Sequence, residues 1–599
     1  MEGAREVLCR SRERTLLQQL ELTRPAVEVD LARVQINDDA DATISDLPSV
    51  PHSLASNAIV RFLPTNGSLL LFVYPDSRAC TVFRLGNAGA ALETVASVGG
   101  TAADEYIQDA AFSPKGTFVV TWSRPHERLV DGNLRVWRCT TGVPVRAFLH
   151  RQYRASAFPY VQWTANEQFA FHAVTNALDV YSGQDLDEPR LLRMPVPGLA
   201  QFAVAPMAVA ETVTESSLAY VATFVPETTN GAPANIQIWA VGTAVSVRSR
   251  HGTIDGMSAT SSEALCAVVV ASRRVFRAQY VDFYWSPKVY GSGSYPSLVV
   301  RTNHDYDVTG RSYYGESSAY FLQPNSNSCG AGDVSGDGIS LPSGPIHDVG
   351  WSPTGREFVV VHGPPPARAT LFHAGGTATF DFGTGPRNRV SWSPHGRFLA
   401  LAGFGSMSGN VQVWDRNKKK IIGQFKAECT TQWQWSPCSR YFLTAVCYPR
   451  MKVDNGFRIF KYDGSLVYQR KFSETHLYQV EWRPVAEGTF PDRPASPDVL
   501  ANLRKGSDPN TPNSDPFRRE DGSDSNYVSA SQARPAGAYV PPHLRRQVAE
   551  NGVAMPSLRL HEHEAPQSLL STPIETKSQR KNRKKKERVA RRQQDVPIS

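Results

Sequence analysis

The densest chemical signal in this chain is a run of cations. Lys577, Arg580, Lys581, Arg583, Lys584, Lys585, Lys586, Arg588, Arg591 and Arg592 stand close together, with Glu587 the one acid among them. The segment nets +9 against +8 for the whole chain, so everything else sums to about −1. A positive excess gathered into one arm is the pattern of a chain that seeks polyanions. Apolar residues are too scarce for an amphipathic membrane helix, since Val589 and Ala590 stand almost alone. RNA is the favoured partner, held through its phosphates by a segment that orders on binding. A nuclear address or a solubilising terminus is the plainer reading of the same run.

Catalytic and metal chemistry find little support. Phe382-Gly383-Thr384-Gly385-Pro386-Arg387 and Gly403-Phe404-Gly405 resemble phosphate loops only in glycine count. Pro386 removes an amide donor and strands rather than a helix follow, so hairpin turns explain these glycines. Gly405-Ser406-Met407-Ser408-Gly409 nearly spells a hydrolase elbow but carries Met407 at the nucleophile position. Asp333, Ser335, Asp337 and Gly338 imitate the opening of a calcium loop, yet the twelfth position is Gly344 instead of Glu. The eight cysteines form no Cys-x-x-Cys pair, so no metal cluster is expected, and with the phosphate-loop and elbow patterns failing, neither a cofactor nor an enzyme is expected. The N-terminus lacks an apolar signal region and no apolar run reaches membrane-spanning length, which points to free thiols in a reducing compartment and no membrane.

The elements that would position any contact surface are legible as a repeat. Trp351-Ser352-Pro353-Thr354-Gly355, Trp392-Ser393-Pro394-His395-Gly396, Trp435-Ser436-Pro437-Cys438-Ser439 and Trp482-Arg483-Pro484 recur at intervals in the forties, and Phe112-Ser113-Pro114 and Trp285-Ser286-Pro287 echo them upstream. Short apolar runs such as Phe358–Val361 and Phe398–Leu401 follow the turns, and alternating segments ending in an aromatic, such as Val411–Trp414, read as half-exposed outer strands. A period in the forties with strand patterning predicts an all-β, WD40-like β-propeller. Starts near Phe62, Phe112, Trp163, Phe202, Met257, Trp285, Trp351, Trp392 and Trp435 suggest eight or nine blades, with nine the favoured count and Trp482 supplying strands that close the ring by pairing with the N-terminal blade. The expected organisation is an N-terminal extension over 1–56 with a helix from Ala4 to Leu22, a propeller over 57–490, and a disordered extension over 491–599 ending in the basic tail 577–592.

Phe380-Asp381-Phe382-Gly383-Thr384-Gly385-Pro386-Arg387-Asn388, Leu401-Ala402-Gly403-Phe404-Gly405 and Val413-Trp414-Asp415 resemble the stretch typical of the eukaryotic translation initiation factor 2A family, single-chain factors distinct from the three-subunit factor 2. The similarity extends to Ser312–Glu316, Gly344–Val349, Asn455-Gly456-Phe457 and, in the tail, Ala538–Arg545. The resemblance implies a nine-bladed propeller with a flexible extension, a cytoplasmic protein without catalysis, association with the small ribosomal subunit, and delivery of initiator methionyl-tRNA without GTP. Messenger RNA and other initiation factors are further candidate partners, and a monomer is expected. Arg387, Arg389, Arg450 and Lys452 are the propeller-loop candidates for contact, and ordinary solvated charges are the plainer account of them. Tyr539, Arg545 and Arg546 flank a Pro-Pro step that would stiffen a short recognition segment. The alternative is a non-enzymatic propeller scaffold, similar to the propeller-bearing component of initiation factor 3, without direct tRNA binding.

Overall fold

The computed structural model describes strands at 5–11 and 15–20, and residues 59–497 apart from 74–78, 86–92, 100–105, 128–130, 207–217, 229–230, 252–263, 291–294, 305–315, 325–338, 343 and 474–475. Among these, eight four-stranded antiparallel sheets and one three-stranded sheet are formed. They are blades one to nine, with inner strands Ile59–Phe62, Ile107–Phe112, Val161–Trp163, Gln201–Val204, Tyr280–Trp285, Ile346–Trp351, Arg389–Trp392, Gln432–Trp435 and Leu477–Trp482 in that order. The fold is a WD40-like propeller.

Each part of the recurring phrase has its own mechanical task. The serine locks the turn between the first and second strands: Ser113 Oγ accepts from the Phe118 amide at 2.9 Å, Ser393 Oγ from Phe398 at 3.0 Å and Ser436 Oγ from Tyr441 at 3.0 Å. The glycine takes a left-handed conformation at the corner, φ +71° at Gly355 and +70° at Gly396, where a side chain is strained. In blade eight Ser439 occupies that position at φ 60°, and its hydroxyl accepts from the His395 amide of blade seven at 3.1 Å.

The tryptophan crosses to the preceding blade. Trp285 Nε1 donates to the Ala203 carbonyl at 3.1 Å, Trp351 to Tyr284 at 2.8 Å, Trp392 to Gly350 at 3.0 Å and Trp435 to Ser391 at 3.1 Å. Glutamine and aspartate do the same work elsewhere: Gln162 bonds the Phe202 carbonyl and the Val204 amide, Gln201 takes both backbone groups of Val281, and Asp348 accepts from the Val390 amide. Apolar cores lie between blades, as where Val359 and Val361 of blade six pack with Trp392, Leu399 and Trp414 of blade seven.

Three expectations fail. The segment Ala4–Leu22 contains strands Arg5–Ser11 and Thr15–Leu20 in place of a helix, and the first of these pairs with Leu477–Trp482, so blade nine is built from both ends of the propeller sequence. The apolar periodicity that suggests a helix is outweighed by an unpaired strand edge on Leu477–Trp482 that these residues satisfy. Met257, the fifth expected start, lies outside the described residues; Leu265–Val275 beyond it is the fourth strand of blade four, paired with Ala234–Thr243, and the helix Ala244–His251 fills part of the long connection. The nine starts thus contained one false member, and the ninth blade is the one at Trp482. The aromatic-ending segments, expected as half-exposed outer strands, are third strands of four-stranded blades with a fourth outside them, which explains why Trp137 and Trp414 are fully buried.

Trp392 is 9% exposed and carries both an interblade core contact and an interblade hydrogen bond. Trp392→Ala is expected to cost roughly 3–5 kcal/mol and Trp392→Phe, which keeps most of the ring, about 1 kcal/mol for the lost donor. Equal thermal midpoints for the two variants and the parent would overturn this assignment. His172, stacked on Phe148 at 4.0 Å with neither ring nitrogen paired, has its pKa pulled down to about 4 by burial, then by His150. The unfolded chain therefore takes up that proton first, so stability is complete above the ordinary value of 6.5 and falls as pH drops toward 4. His172→Phe is expected to remove about 2 kcal/mol of the loss between pH 7 and pH 5, measured by urea unfolding at the two pH values.

Candidate RNA-contact surface

Loops leaving the second and fourth strands of each blade open on the face opposite the Ser-Pro turns. Arg387 lies in the connection from blade six to blade seven, Arg389 opens the inner strand of blade seven, and Arg450 and Lys452 lie in the loop between the second and third strands of blade eight. The four loop positions singled out in the sequence thus share one face of two adjacent blades.

They are not equivalent. Arg387 is 4% exposed, with its guanidinium 3.5 Å from the Phe382 carbonyl and 3.4 Å from Gln412 Oε1, and burial pulls its pKa down to about 10. It occupies space that Gly385 leaves open, since a Cβ there would come within 2.6 Å of the guanidinium. Burial removes Arg387 from any solvent-facing contact. Its neighbour Asn388 clasps the adjacent loop, donating to the Phe404 carbonyl at 2.9 Å and accepting from the Phe404 amide at 3.0 Å. Phe380 and Phe382 pack around Trp414, with Phe382 at 5.0 Å between centroids. Much of the glycine-rich stretch is therefore a structural joint.

Arg389 is half-buried, its guanidinium 5.8 Å from the centre of the Trp433 ring, which packs on Phe404 at 4.8 Å. Arg450 and Lys452 are exposed, and Arg450 reaches toward blade seven, 3.5 Å from where a Cβ on Gly405 would stand. Exposed cations beside guanidinium-on-ring pairs form a surface able to hold phosphates and stack bases. The tail residues Lys577–Arg592 and Tyr539, Arg545 and Arg546 lie outside the described residues.

The sequence reading missed a second basic and aromatic loop on the same face. Tyr153 packs on Trp122 at 4.9 Å and its hydroxyl donates to Asp109 at 2.7 Å, while Asp109 also pairs with Arg61 of blade one at 3.0 Å. Burial and the Asp109 carboxylate push the Tyr153 phenol up. Arg151 and Arg154 flank this anchor and are exposed. The signal was the Arg-x-Tyr-Arg spacing at 151–154, which no blade motif contains. Among the described residues no group of His, Cys, Asp and Glu could hold a metal ion.

The family model described as eukaryotic translation initiation factor eIF2A matches residues 273–480. The chain is 31% identical to eukaryotic translation initiation factor 2A of Schizosaccharomyces pombe over 443 residues, covering 73% of this chain and 66% of that protein. It is likewise 31% identical to the Dictyostelium discoideum protein of that name over 383 residues, covering 64% of this chain and 55% of the relative. The chain thus spans between half and two thirds of the length of these relatives. A crystal structure of a eukaryotic initiation factor superposes with a TM-score of 0.58 at 24% identity, covering 81% of this chain and all of the other, which supports the fold.

Because the Arg387 guanidinium is buried with only two long hydrogen bonds, Arg387→Met is expected to leave the thermal midpoint unchanged or raised, within about 1–4 kcal/mol of stabilisation. A strong loss of stability would show that the charge itself is needed in the joint.

Proposed function

This chain belongs to the eukaryotic translation initiation factor 2A family, and we propose that it serves translation initiation without catalysis, as a contact protein for the small ribosomal subunit and initiator methionyl-tRNA. The observation that carries this reading is the separation of charge. The basic tail holds a net +9 while the rest of the chain sums to about −1. In this division of labour the propeller docks on ribosomal or factor surfaces through its loops, with Arg389, Arg450 and Lys452 at one of them. The tail then adds a grip on phosphates that is largely independent of sequence and sensitive to salt. Delivery of the tRNA without GTP agrees with the absence of a phosphate loop in the sequence. The protein would work in the cytoplasm, as a monomer, and messenger RNA and other initiation factors would meet it there.

A scaffold reading without direct tRNA binding has one observation in its favour. The chain is 23% identical over 402 residues to a component of eukaryotic translation initiation factor 3 from Bombyx mori, covering 66% of this chain and 51% of that protein.

Deleting 577–599 is expected to leave the circular dichroism spectrum of the propeller intact, weaken binding to tRNA and to small subunits in part, and flatten the salt dependence of binding. Filter binding across a salt series measures this. Equal affinity and equal salt slope in the intact and truncated proteins would make the tail an address or a solubiliser and favour the scaffold.

A further inference from the structure

Blade eight carries a cleft of about 610 Å³ on the same face as Arg450 and Lys452. Its walls come from the loop between the second and third strands of the blade, from the inner ends of the strands Gly456–Lys461 and Leu466–Lys471, and from the connections that enter and leave the blade. The volume lies in the range that accepts a ligand of nucleotide size. Four cations line it, Lys452, Arg458, Arg470 and Lys471, against the carboxylates Glu428 and Asp454. Glu428 is already paired with Lys426, which holds its carboxyl below the usual range. Neither Lys452 nor Lys471 pairs with a carboxylate among the described residues, and both are exposed.

The chemistry is more than positive. The Arg470 guanidinium lies over the Phe472 ring, 5.3 Å from its centre, which sets a cation beside an aromatic at the cleft wall. His476, stacked on Tyr448 at 4.3 Å, also lines the cleft. Flat guanidinium and imidazole groups suit a base, and lysine ammonium groups suit a phosphate. Arg450, next in sequence to the lining residue Met451, lies against the loop of blade seven, and Arg389 of blade seven lies over Trp433. An arrangement of this kind fits an extended polyanion that carries flat rings. An acidic peptide would use the charges and leave the stacking surfaces idle.

We propose that the cleft of blade eight holds one nucleotide of a single-stranded RNA, with Lys452 and Lys471 on its phosphate and Arg458, Arg470 and His476 around its base, the strand continuing over Arg450 toward blade seven. The inference rests on the RNA-binding reading above and adds a site on the propeller that is separate from the tail.

Cys429 provides a local reporter. It is an exposed free thiol on the cleft wall, whereas Cys80, Cys139, Cys438 and Cys447 are buried and Cys266 is half-buried. The full chain is titrated with a fluorescein-labelled decamer of uridylate, followed by anisotropy, and the rate of Cys429 alkylation by N-ethylmaleimide is read by mass spectrometry at saturation. Alkylation is expected to slow by on the order of fivefold or more when the cleft is filled. K452E and K471E should each abolish that protection while thermal midpoint and tail-driven anisotropy persist. Saturated anisotropy with Cys429 unprotected would confine RNA to the tail and overturn the cleft site alone. Protection by oligoglutamate and none by the uridylate decamer would reassign the cleft to an acidic peptide. Absence of any anisotropy change would overturn the RNA reading together with the site.

Discussion

Backbone ladders stop at the inner edge of every blade, where neighbouring inner strands diverge and cannot pair. Nine sheets become one body because side chains reach across that gap and bond the neighbour's backbone. Tryptophan does it on the side of the Ser-Pro turns from blade four to blade eight, glutamine between blades three, four and five, and aspartate between six and seven. Between eight and nine, Gln432 and Gln434 accept from the Val480 and Trp482 amides. The ring closes when Gln479 donates to the Val60 carbonyl and Arg483 to Gly67. Each bond is worth about 1 kcal/mol net, but an unmet carbonyl or amide at these buried edges would cost more, so the set works as a registration device as much as a source of stability.

The face opposite the Ser-Pro turns inherits its rigidity from this arrangement. Loops at the start of the inner strands are held by the same crossings, Asp348 to Val390 next to Arg389 and Asp109 to Arg61 beneath Tyr153. Cations placed on such loops lose little freedom when a polyanion arrives, because the stem of each loop is already ordered.

The repeat, the fold class and eight of the nine inner strands were legible because a Trp-Ser-Pro turn has a local cause: one hydroxyl, one ring and one left-handed corner within five residues. What was not legible is non-local. Thr15–Leu20 and Arg5–Ser11 carry a pattern that a helix could also use, and only the open edge of Leu477–Trp482 decides between them. Arg387 and Arg450 look alike in the sequence, yet one packs over Gly385 and the other faces solvent. The cleft of blade eight joins residues from 427 to 476 on separate strands and loops, and no spacing rule links Glu428 to Arg458 and Lys471.

Blade nine gives the chain an unusual order of assembly. The strand Arg5–Ser11 pairs with Leu477–Trp482, which emerges more than four hundred and sixty residues after it. At synthesis rates of roughly 5–20 residues per second, the first strands wait on the order of half a minute or more for their partner. During that interval blades one to eight can form in sequence from their own strands, each needing only contiguous chain, while the opening hairpin must be kept from pairing with anything else. Completion of the last blade is thus tied to the length of the product: a polypeptide ending between Lys471 and Leu477 would carry the strands of blades one to eight and leave Arg5–Ser11 without the strand it pairs with.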